Sequence, residues 1–567
     1  MRILTLLLLL TTISYSQDLL GGQIHGYAET NGAYYRQDSL IGAPDVAEKF
    51  LNNSFLNLIY TNNNVEVGFR YESYQNPLLG FDNRFKGQGI PYRYVTYKSD
   101  LIDVTVGNFY EQFGTGMVLR SYEERNLGID NTLDGVRFKI RPIGGVEIKG
   151  LYGKARTFWE LSNGIIRGAD LNVVVNDLIP ALGLGEIGYE NQVSIGGSVV
   201  SRFQEDNSAV YNLPENVLTY AARLSAVGSF YSFDAEYMYK YNDPIATNLF
   251  RFNDGQGVKV LGALFSKGIS FNFNYHYIQN IDFRVDREAV LLNLPMNFVP
   301  PLTRQQTYLL ATVYPYGTQP NGETGIGMDA AYQFKRGSLI GGKYGARFGA
   351  NYSVVYGLDS TENRIIDPQD PTKTTSLDYD VNFMSPGDSL FYRELNLDFS
   401  KKLTKNFKFA ASYINAKYNR ELNEGKLGYS YVNTNIFIAE GTYKFNDDYA
   451  LRLELQYLNY DDDGIIQKKY DESESLLDPQ NGDWYAATAE FTIAPHYYFT
   501  YIHQYNSTNV NPDLRVHYPT ANFTYVYDAT RFMIGYSRIR SGLLCVGGVC
   551  RVVPSSNGFN FTISTSF

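Results

Sequence analysis

The chain ends in NGFNFTISTSF, residues 557–567, and the alternation in this stretch is the key to the architecture. Phe559, Phe561, Ile563 and Phe567 fall on one face, and Asn560, Thr562, Ser564 and Ser566 on the other. Successive side chains of a strand point to opposite sides, so this is a strand with one greasy and one wet face. The same split recurs along the whole chain. Val65, Val67, Phe69 and Tyr71 alternate with Glu66, Gly68, Arg70 and Glu72. Phe271, Phe273, Tyr275 and Tyr277 alternate with Asn272, Asn274 and His276, and Leu451, Leu453, Leu455 and Tyr457 with Arg452, Glu454 and Gln456. A soluble sandwich would alternate as well. Three features argue instead for a membrane. The polar faces carry charges in mid-strand, as a wet lumen allows. Tyr and Phe, 49 and 35 in number, gather near strand ends on the apolar faces. Connections alternate between short (61–64, 141–145, 446–448) and long (76–90, 280–322, 358–391, 461–482), the signature of a transmembrane β-barrel. Backbone groups in lipid must be paired internally, which only a helix or a closed barrel achieves.

The remainder of the sequence fits one all-β domain, a single large antiparallel barrel. Residues 1–16, MRILTLLLLLTTISYS, read as a secretory signal peptide, with a basic start, an apolar run and cleavage before Gln17. No Cys follows the cut, and no later run reaches the 18 or so apolar residues of a membrane helix. Residues 17–567 then form the outer-membrane barrel, of about 22–24 strands by the even-number rule. Within 166–203 the count is open: 170–176 reads as a strand followed by a short helix over 178–184, or all of it as an extended loop. The net charge of −10 gives no nucleic-acid footprint. Two cysteines in an exported chain imply one disulfide.

The stretch with the densest chemistry is GNFYEQFGTGMVLRSYEERNLGIDNTLDGVRFKIRP, residues 107–142. With the N-terminus periplasmic, residues 101–113 run outward and 135–141 return. Val136, Phe138 and Ile140 then face lipid, while Arg137, Lys139 and Arg141 face inward, since a cation in lipid costs roughly 2–4 kcal/mol at mid-depth. Glu111, Glu123 and Glu124 are expected partners for Arg120, Arg125 and the ladder. The cluster reads as a salt-bridged wall or as a charged constriction that selects solutes. Hydrolysis by paired carboxylates has no supporting sugar-binding context.

These residues also carry a resemblance. NFYEQFGTGMVLRSYEERNLGIDN with DGVRF, and CVGGVCRVVP before the last strand, resemble a Bacteroidota outer-membrane barrel family of unknown function over the whole mature chain. The resemblance implies a barrel in the outer membrane and no assigned activity. More loosely, the G-N…F-G…L-G…D-G-V-R pattern is similar to alginate-export-type porins. The last strand, ending in Phe567 with Phe559, Phe561 and Ile563 on its apolar face, resembles the signal read by the barrel-assembly machinery of Gram-negative bacteria.

Cys545-Val-Gly-Gly-Val-Cys550 reads as an external hairpin with Gly547-Gly548 in its turn. Val546 and Val549 form the hydrogen-bonded pair, and Cys545 and Cys550 the closer, non-hydrogen-bonded pair that suits a disulfide. Asp461-Asp462-Asp463-Gly464 lacks the spacing of a calcium loop and reads as a solvated loop. The five histidines are dispersed, with His496 and His503 too far apart to chelate together. No nucleophile elbow, zinc-protease motif or phosphate loop is present. The external segment AVLLNLPMNFVPPL, residues 289–302, is unusually apolar, and reads as a lumenal plug or as a partner surface.

Together these features predict a non-enzymatic outer-membrane protein without cofactor or metal. A porin-like channel for small or oligomeric polar solutes leads. The alternative is an accessory or scaffold barrel of a secretion or assembly complex. Strands begin near Gln23, which disfavours an energised transporter with an N-terminal plug. Expected partners are outer-membrane lipid, lipopolysaccharide, the assembly machinery and proteins docking on the long loops.

Overall fold

The computed structural model describes residues 17–19, 21–185, 188, 190–367, 370–473, 478–546 and 549–567. Among them one antiparallel sheet closes on itself. Its strands are β1 (Gly22–Tyr35), β2 (Phe50–Asn62), β3 (Val65–Asn76), β4 (Gly87–Lys98), β5 (Ile102–Phe109), β6 (Leu133–Ile140), β7 (Val146–Thr157) and β8 (Glu160–Val174). There follow β9 (Asn191–Phe203), β10 (Asn216–Gly228), β11 (Tyr231–Lys240), β12 (Gly255–Ser266), β13 (Ile269–Gln279), β14 (Gly322–Phe334), β15 (Ala346–Asp367) and β16 (Asp370–Lys402). The ring is completed by β17 (Phe407–Asn419), β18 (Tyr431–Lys444), β19 (Tyr449–Asp461), β20 (Trp484–Ile493), β21 (Tyr497–Asn506), β22 (His517–Tyr527), β23 (Thr530–Ile539) and β24 (Ser556–Ser566). Each pairs with its sequence neighbours, and β24 pairs with β1 from Tyr27↔Ser566 to Tyr35↔Gly558. The result is a closed 24-strand barrel, with Gln17–Leu19 lying beside β1 as a short extra strand.

The seam extends to the chain end. The Gly26 amide donates to the Phe567 carbonyl at 2.8 Å, and the Phe567 amide to the Gly26 carbonyl at 3.1 Å. Closure leaves no unpaired strand edge, which is what a hydrocarbon environment demands. The outer face is apolar and aromatic, with Val67, Phe69, Val136, Phe138, Leu453 and Leu455 all exposed. Rings pair across neighbouring strands near the short-turn end, Tyr497 with Tyr525 at 5.2 Å for example. Small residues make room for them: a Cβ on Gly150 would meet the Phe138 ring at 2.2 Å. Tyr277 departs from the pattern, being buried on the outward parity because Phe383 packs on it edge to face at 5.2 Å.

Residues 170–174, open to two readings in the sequence, are the end of β8. A helix α1 (Val175–Ala181) follows, starting three residues earlier than its apolar pattern suggested. Asn176 pulls the helix start onto β9, donating to the Asn191 carbonyl at 2.9 Å and accepting from the Val193 amide at 2.8 Å. The long connection expected over 358–391 is present, and its described residues are paired strand rather than coil. There β15 and β16 continue past the barrel wall as a paired hairpin, through register shifts between Val355 and Ser360, to Asp367↔Asp370. The two arms satisfy each other's backbone groups, so the hairpin needs no membrane support. Phe567, the start of β1 and most short turns lie at one end of the barrel, with α1 and the 335–345 connection. The other long connections lie at the opposite end, with the two-residue turn 158–159, and two of them fold back into the bore.

Candidate functional site in the barrel mouth

The inward ladder is set by strand parity on β6. Val136 and Phe138 are outside, and Arg137, Lys139 and Arg141 turn to the lumen. Arg137 reaches Glu111 at 3.4 Å and the Thr105 hydroxyl at 3.1 Å. Lys139 meets Glu147 at 3.5 Å, and Arg141 meets both Asp103 at 3.1 Å and Glu147 at 3.4 Å. Glu111 also holds Lys149 at 3.0 Å. These pairs remain partly exposed, with 26, 28 and 37% of the three cationic side chains accessible.

Above them, residues 110–132 bend into the bore. Arg120 makes no ion pair among the described residues. Its guanidinium lies over the Tyr122 and Phe298 rings at 5.5 and 5.0 Å. Glu124 caps a turn by accepting from the Asn126 amide at 3.1 Å. Expected charge partners for these two thus give way to a ring contact and a cap. Glu123 binds Arg125 at 2.7 Å and Arg70 at 2.9 Å.

Arg70 belongs to a buried network that pins this loop to the wall. Arg70 and Glu72 on β3 lie 2.6 Å apart, and Arg156 on β7 is 2.7 Å from Glu72 and 2.7 Å from Asp130. Arg70 also pairs with Asp130, which accepts from the Tyr110 hydroxyl at 2.8 Å. Burial pushes the Asp130 carboxyl up, but Arg156 and Arg70 outweigh it and hold the group below the usual aspartate range. At Glu123, burial wins over Arg70 and raises the carboxyl.

The second inward connection, 280–321, crosses the lumen. Near its start, Ile281, Phe283, Val285, Leu294, Met296 and Val299 pack with Phe113, Met117 and Leu119 against β5–β13. Polar anchors support this half. Arg202 and Asp243 form a fully buried pair at 2.5 Å, and Arg202 donates to the Arg284 carbonyl at 3.0 Å. Further on, Leu302, Leu310, Val313, Tyr314 and Tyr316 join a second cluster on the opposite wall, with Tyr392, Tyr418, Leu458, Trp484 and Tyr518. The Leu310 amide donates to the Gln456 side chain at 2.9 Å, and the Tyr314 hydroxyl to the Gln480 carbonyl at 3.0 Å. The segment is therefore fixed at both walls. Within 289–302, Leu294, Met296, Val299 and Leu302 are buried inside the barrel, whereas Leu291 stays 81% exposed.

The whole sequence, residues 1–567, matches the model described as Family of unknown function (DUF6029). The chain belongs to this family. No curated protein matches the sequence. Solved structures similar to this DUF6029 barrel include the siderophore receptor PirA from Pseudomonas aeruginosa, 7% identical, covering 98% of this chain and 81% of that one, TM-score 0.38. A mutant of the ferric enterobactin receptor PfeA from the same organism, in complex with enterobactin, is 9% identical over 96% and 81%, TM-score 0.43. The P pilus usher PapC translocation pore is 8% identical over 96% and 99%, TM-score 0.38. The fold of the DUF6029 chain rests on its own closed register.

Some readings fall elsewhere on the DUF6029 barrel. The backbone of the hairpin 542–553 pairs Cys545 with Cys550 and Val546 with Val549. The thiols lie outside the described side chains, as does the segment 1–16. Asp462 is not merely solvated: it accepts from the Gly464 and Ile466 amides, at 3.1 and 2.9 Å, and so starts the helix α2 (Ile465–Ser473). On the last strand Phe559 is exposed on the outer face. Arg70 and Glu72 are legible only as inward-facing strand residues and Asp130 only as part of the 107–142 stretch, while Arg156, Arg202 and Asp243 belong to no motif quoted from the sequence. Their one signal is a charge on the inward parity of a strand or at its outer end.

Proposed function

We propose that the protein is a porin-like channel of the outer membrane for small polar solutes, its bore narrowed by its own loops. The termini would lie in the periplasm and the long connections outside, after export and cleavage before Gln17. The observation that carries this reading is the part-exposed ion-pair ladder of Arg137, Lys139 and Arg141 beside the inward-folded loops. A wall of charges that stays wet is what a solute path requires. Assembly would proceed through the terminal strand, with lipopolysaccharide around the aromatic face. The reading involves no catalysis and no cofactor.

Planar-bilayer recording of the purified protein tests it. Discrete conductance steps are expected. Arg141→Gln should shift selectivity towards cations, because Asp103 and Glu147 lose their compensating charge. Silence in the bilayer would overturn the channel. The second reading, an accessory scaffold in an envelope complex, is favoured by the buried Arg202–Asp243 pair, which anchors the crossing segment through the Arg284 carbonyl. It expects no conductance and a stable protein partner on native pull-down, docked on the long loops.

A further inference from the structure

One sector of the short-turn end is strongly basic. The connection from β14 to β15 carries Lys335, Arg336 and Lys343, and Arg347 lies at the start of β15. The next turn and the strand ends beside it, from β16 to β17, carry Lys401, Lys402, Lys405 and Lys408, and β18 ends on Lys444. All are exposed except Lys401, which is half-buried, and none makes an ion pair among the described residues. Asp447 and Asp448 occupy the following turn without pairing to any of them. The chain as a whole is acidic, with net charge −10, so composition does not account for the concentration.

These cations are gathered rather than spread. Lys402 and Lys408 stand directly opposite each other in the β16–β17 register, and like charges so placed destabilise a strand pair. The Lys343 and Lys402 ammoniums lie 5.7 and 5.5 Å from the centre of the Tyr344 ring. Lys401 reaches the same connection, where a Cβ on Gly342 would meet its ammonium at 3.4 Å. A bound anion relieves the repulsion within such a group. The connection is also well ordered by its own hydrogen bonds. The Gly337 amide donates to the Gly342 carbonyl at 2.7 Å, the Gly342 amide to the Ser338 carbonyl at 2.8 Å, and the Ser338 hydroxyl to the Lys335 carbonyl at 2.7 Å. At its tip Leu339 is fully exposed, with Ile340 exposed beside it.

Height along the barrel decides which anion fits. Tyr332, Phe348 and Phe399 form one outward row across β14, β15 and β16. Tyr332 packs edge to face on Phe334 at 4.7 Å, and Tyr443 on Phe445 at 5.0 Å. In a membrane barrel such rings mark the boundary between hydrocarbon and headgroups. Lys335 follows Phe334 directly, Lys401 follows Phe399 by two residues, and Lys444 follows Tyr443. The cations therefore stand at the level of lipid phosphates, next to an apolar tip, and basic side chains combined with apolar ones bind charged lipid surfaces. An acidic soluble protein would require no such alignment with the rings.

We infer that this sector is a binding site for anionic phospholipid, its phosphates held among Lys335, Lys343, Lys401 and Lys402. The inference rests on the membrane placement of the barrel and not on conduction.

The test reconstitutes the full-length protein into nanodiscs of equal phosphatidylglycerol and phosphatidylcholine. The lipids it retains on extraction into detergent are then counted by native mass spectrometry. Phosphatidylglycerol should be enriched at least about fivefold, the worth of one basic side chain at an anionic lipid surface. High salt during extraction should reduce the enrichment. Combining Lys335→Gln, Lys343→Gln, Lys401→Gln and Lys402→Gln should abolish it, with folding checked by heat-modifiable gel mobility. Lys343→Gln alone, in an exposed turn, should lower it part-way. Equal retention of the two lipids by the natural protein would overturn the site, as would enrichment unchanged in both variants. Tighter binding of poly-glutamate than of phosphatidylglycerol would give the patch to an acidic protein and overturn the lipid site as well. Failure to enter nanodiscs of phosphatidylcholine alone would contradict the membrane placement, and the site with it.

Discussion

At the residue scale, Asp130 is the keystone of the inward-folded loop. It accepts from Arg70, Arg156, Tyr110 and the Thr132 amide in a largely buried site. Asp130→Asn would leave two buried guanidiniums short of charge, and breaking a buried pair typically costs about 3–5 kcal/mol. The expected outcome is a matching loss in denaturant resistance, read by heat-modifiable mobility across a urea series. A second residue-scale prediction concerns acid. Burial raises the Asp478 carboxyl, but Arg420 and Lys426 outweigh it and hold the group below its ordinary value. A carboxyl depressed in the folded state stabilises above its unfolded pKa, about 3.9, and loses that contribution as pH falls through the folded value. The contact between the 462–483 connection and the helical turn Arg420–Glu424 should therefore loosen only below about pH 4, seen as faster amide exchange there. Inward placement of Arg70 and Glu72 is legible from parity. Their partners are not, because Arg70 meets Asp130 across 60 residues and Arg156 meets Glu72 across 84.

At the scale of elements, strands are legible in the sequence and the path of the long connections is not. Alternation specifies a strand locally, since each residue declares its own side. The apolar run 289–302 declares only that it will be buried. Whether its cover is the barrel interior or another protein depends on walls contributed by β5–β13 and β15–β22, far away along the chain. The hairpin formed by β15 and β16 shows the converse, a long connection whose strands are masked by a polar composition that resembles a loop. The far anchor of the crossing segment gives a prediction. Tyr314 and Tyr316 are both buried in the second cluster, and truncating a buried aromatic costs about 3–5 kcal/mol. The double substitution Tyr314→Ala and Tyr316→Ala should release this end and expose Tyr308, Leu309 and Leu310 to chymotrypsin. Protection equal to the natural protein would refute the anchoring.

At the scale of the molecule, the barrel depends on one seam. Removing 556–567 would strip β24 from both β1 and β23, leaving two long edges unpaired. Such a chain should not reach the heat-modifiable folded form. The closed barrel is legible because lipid punishes every exception to alternation and pairing. The filled mouth is not, because loops that fold inward obey no period. A narrowed bore requires that residues 280–321 bridge the lumen from wall to wall. Bilayer conductance of the protein with 281–320 replaced by a short Gly-Ser linker, set beside that of the natural protein, puts this to the proof. A bridged lumen predicts conductance several-fold larger once the segment is excised. Equal conductance from the two proteins would contradict the bridge.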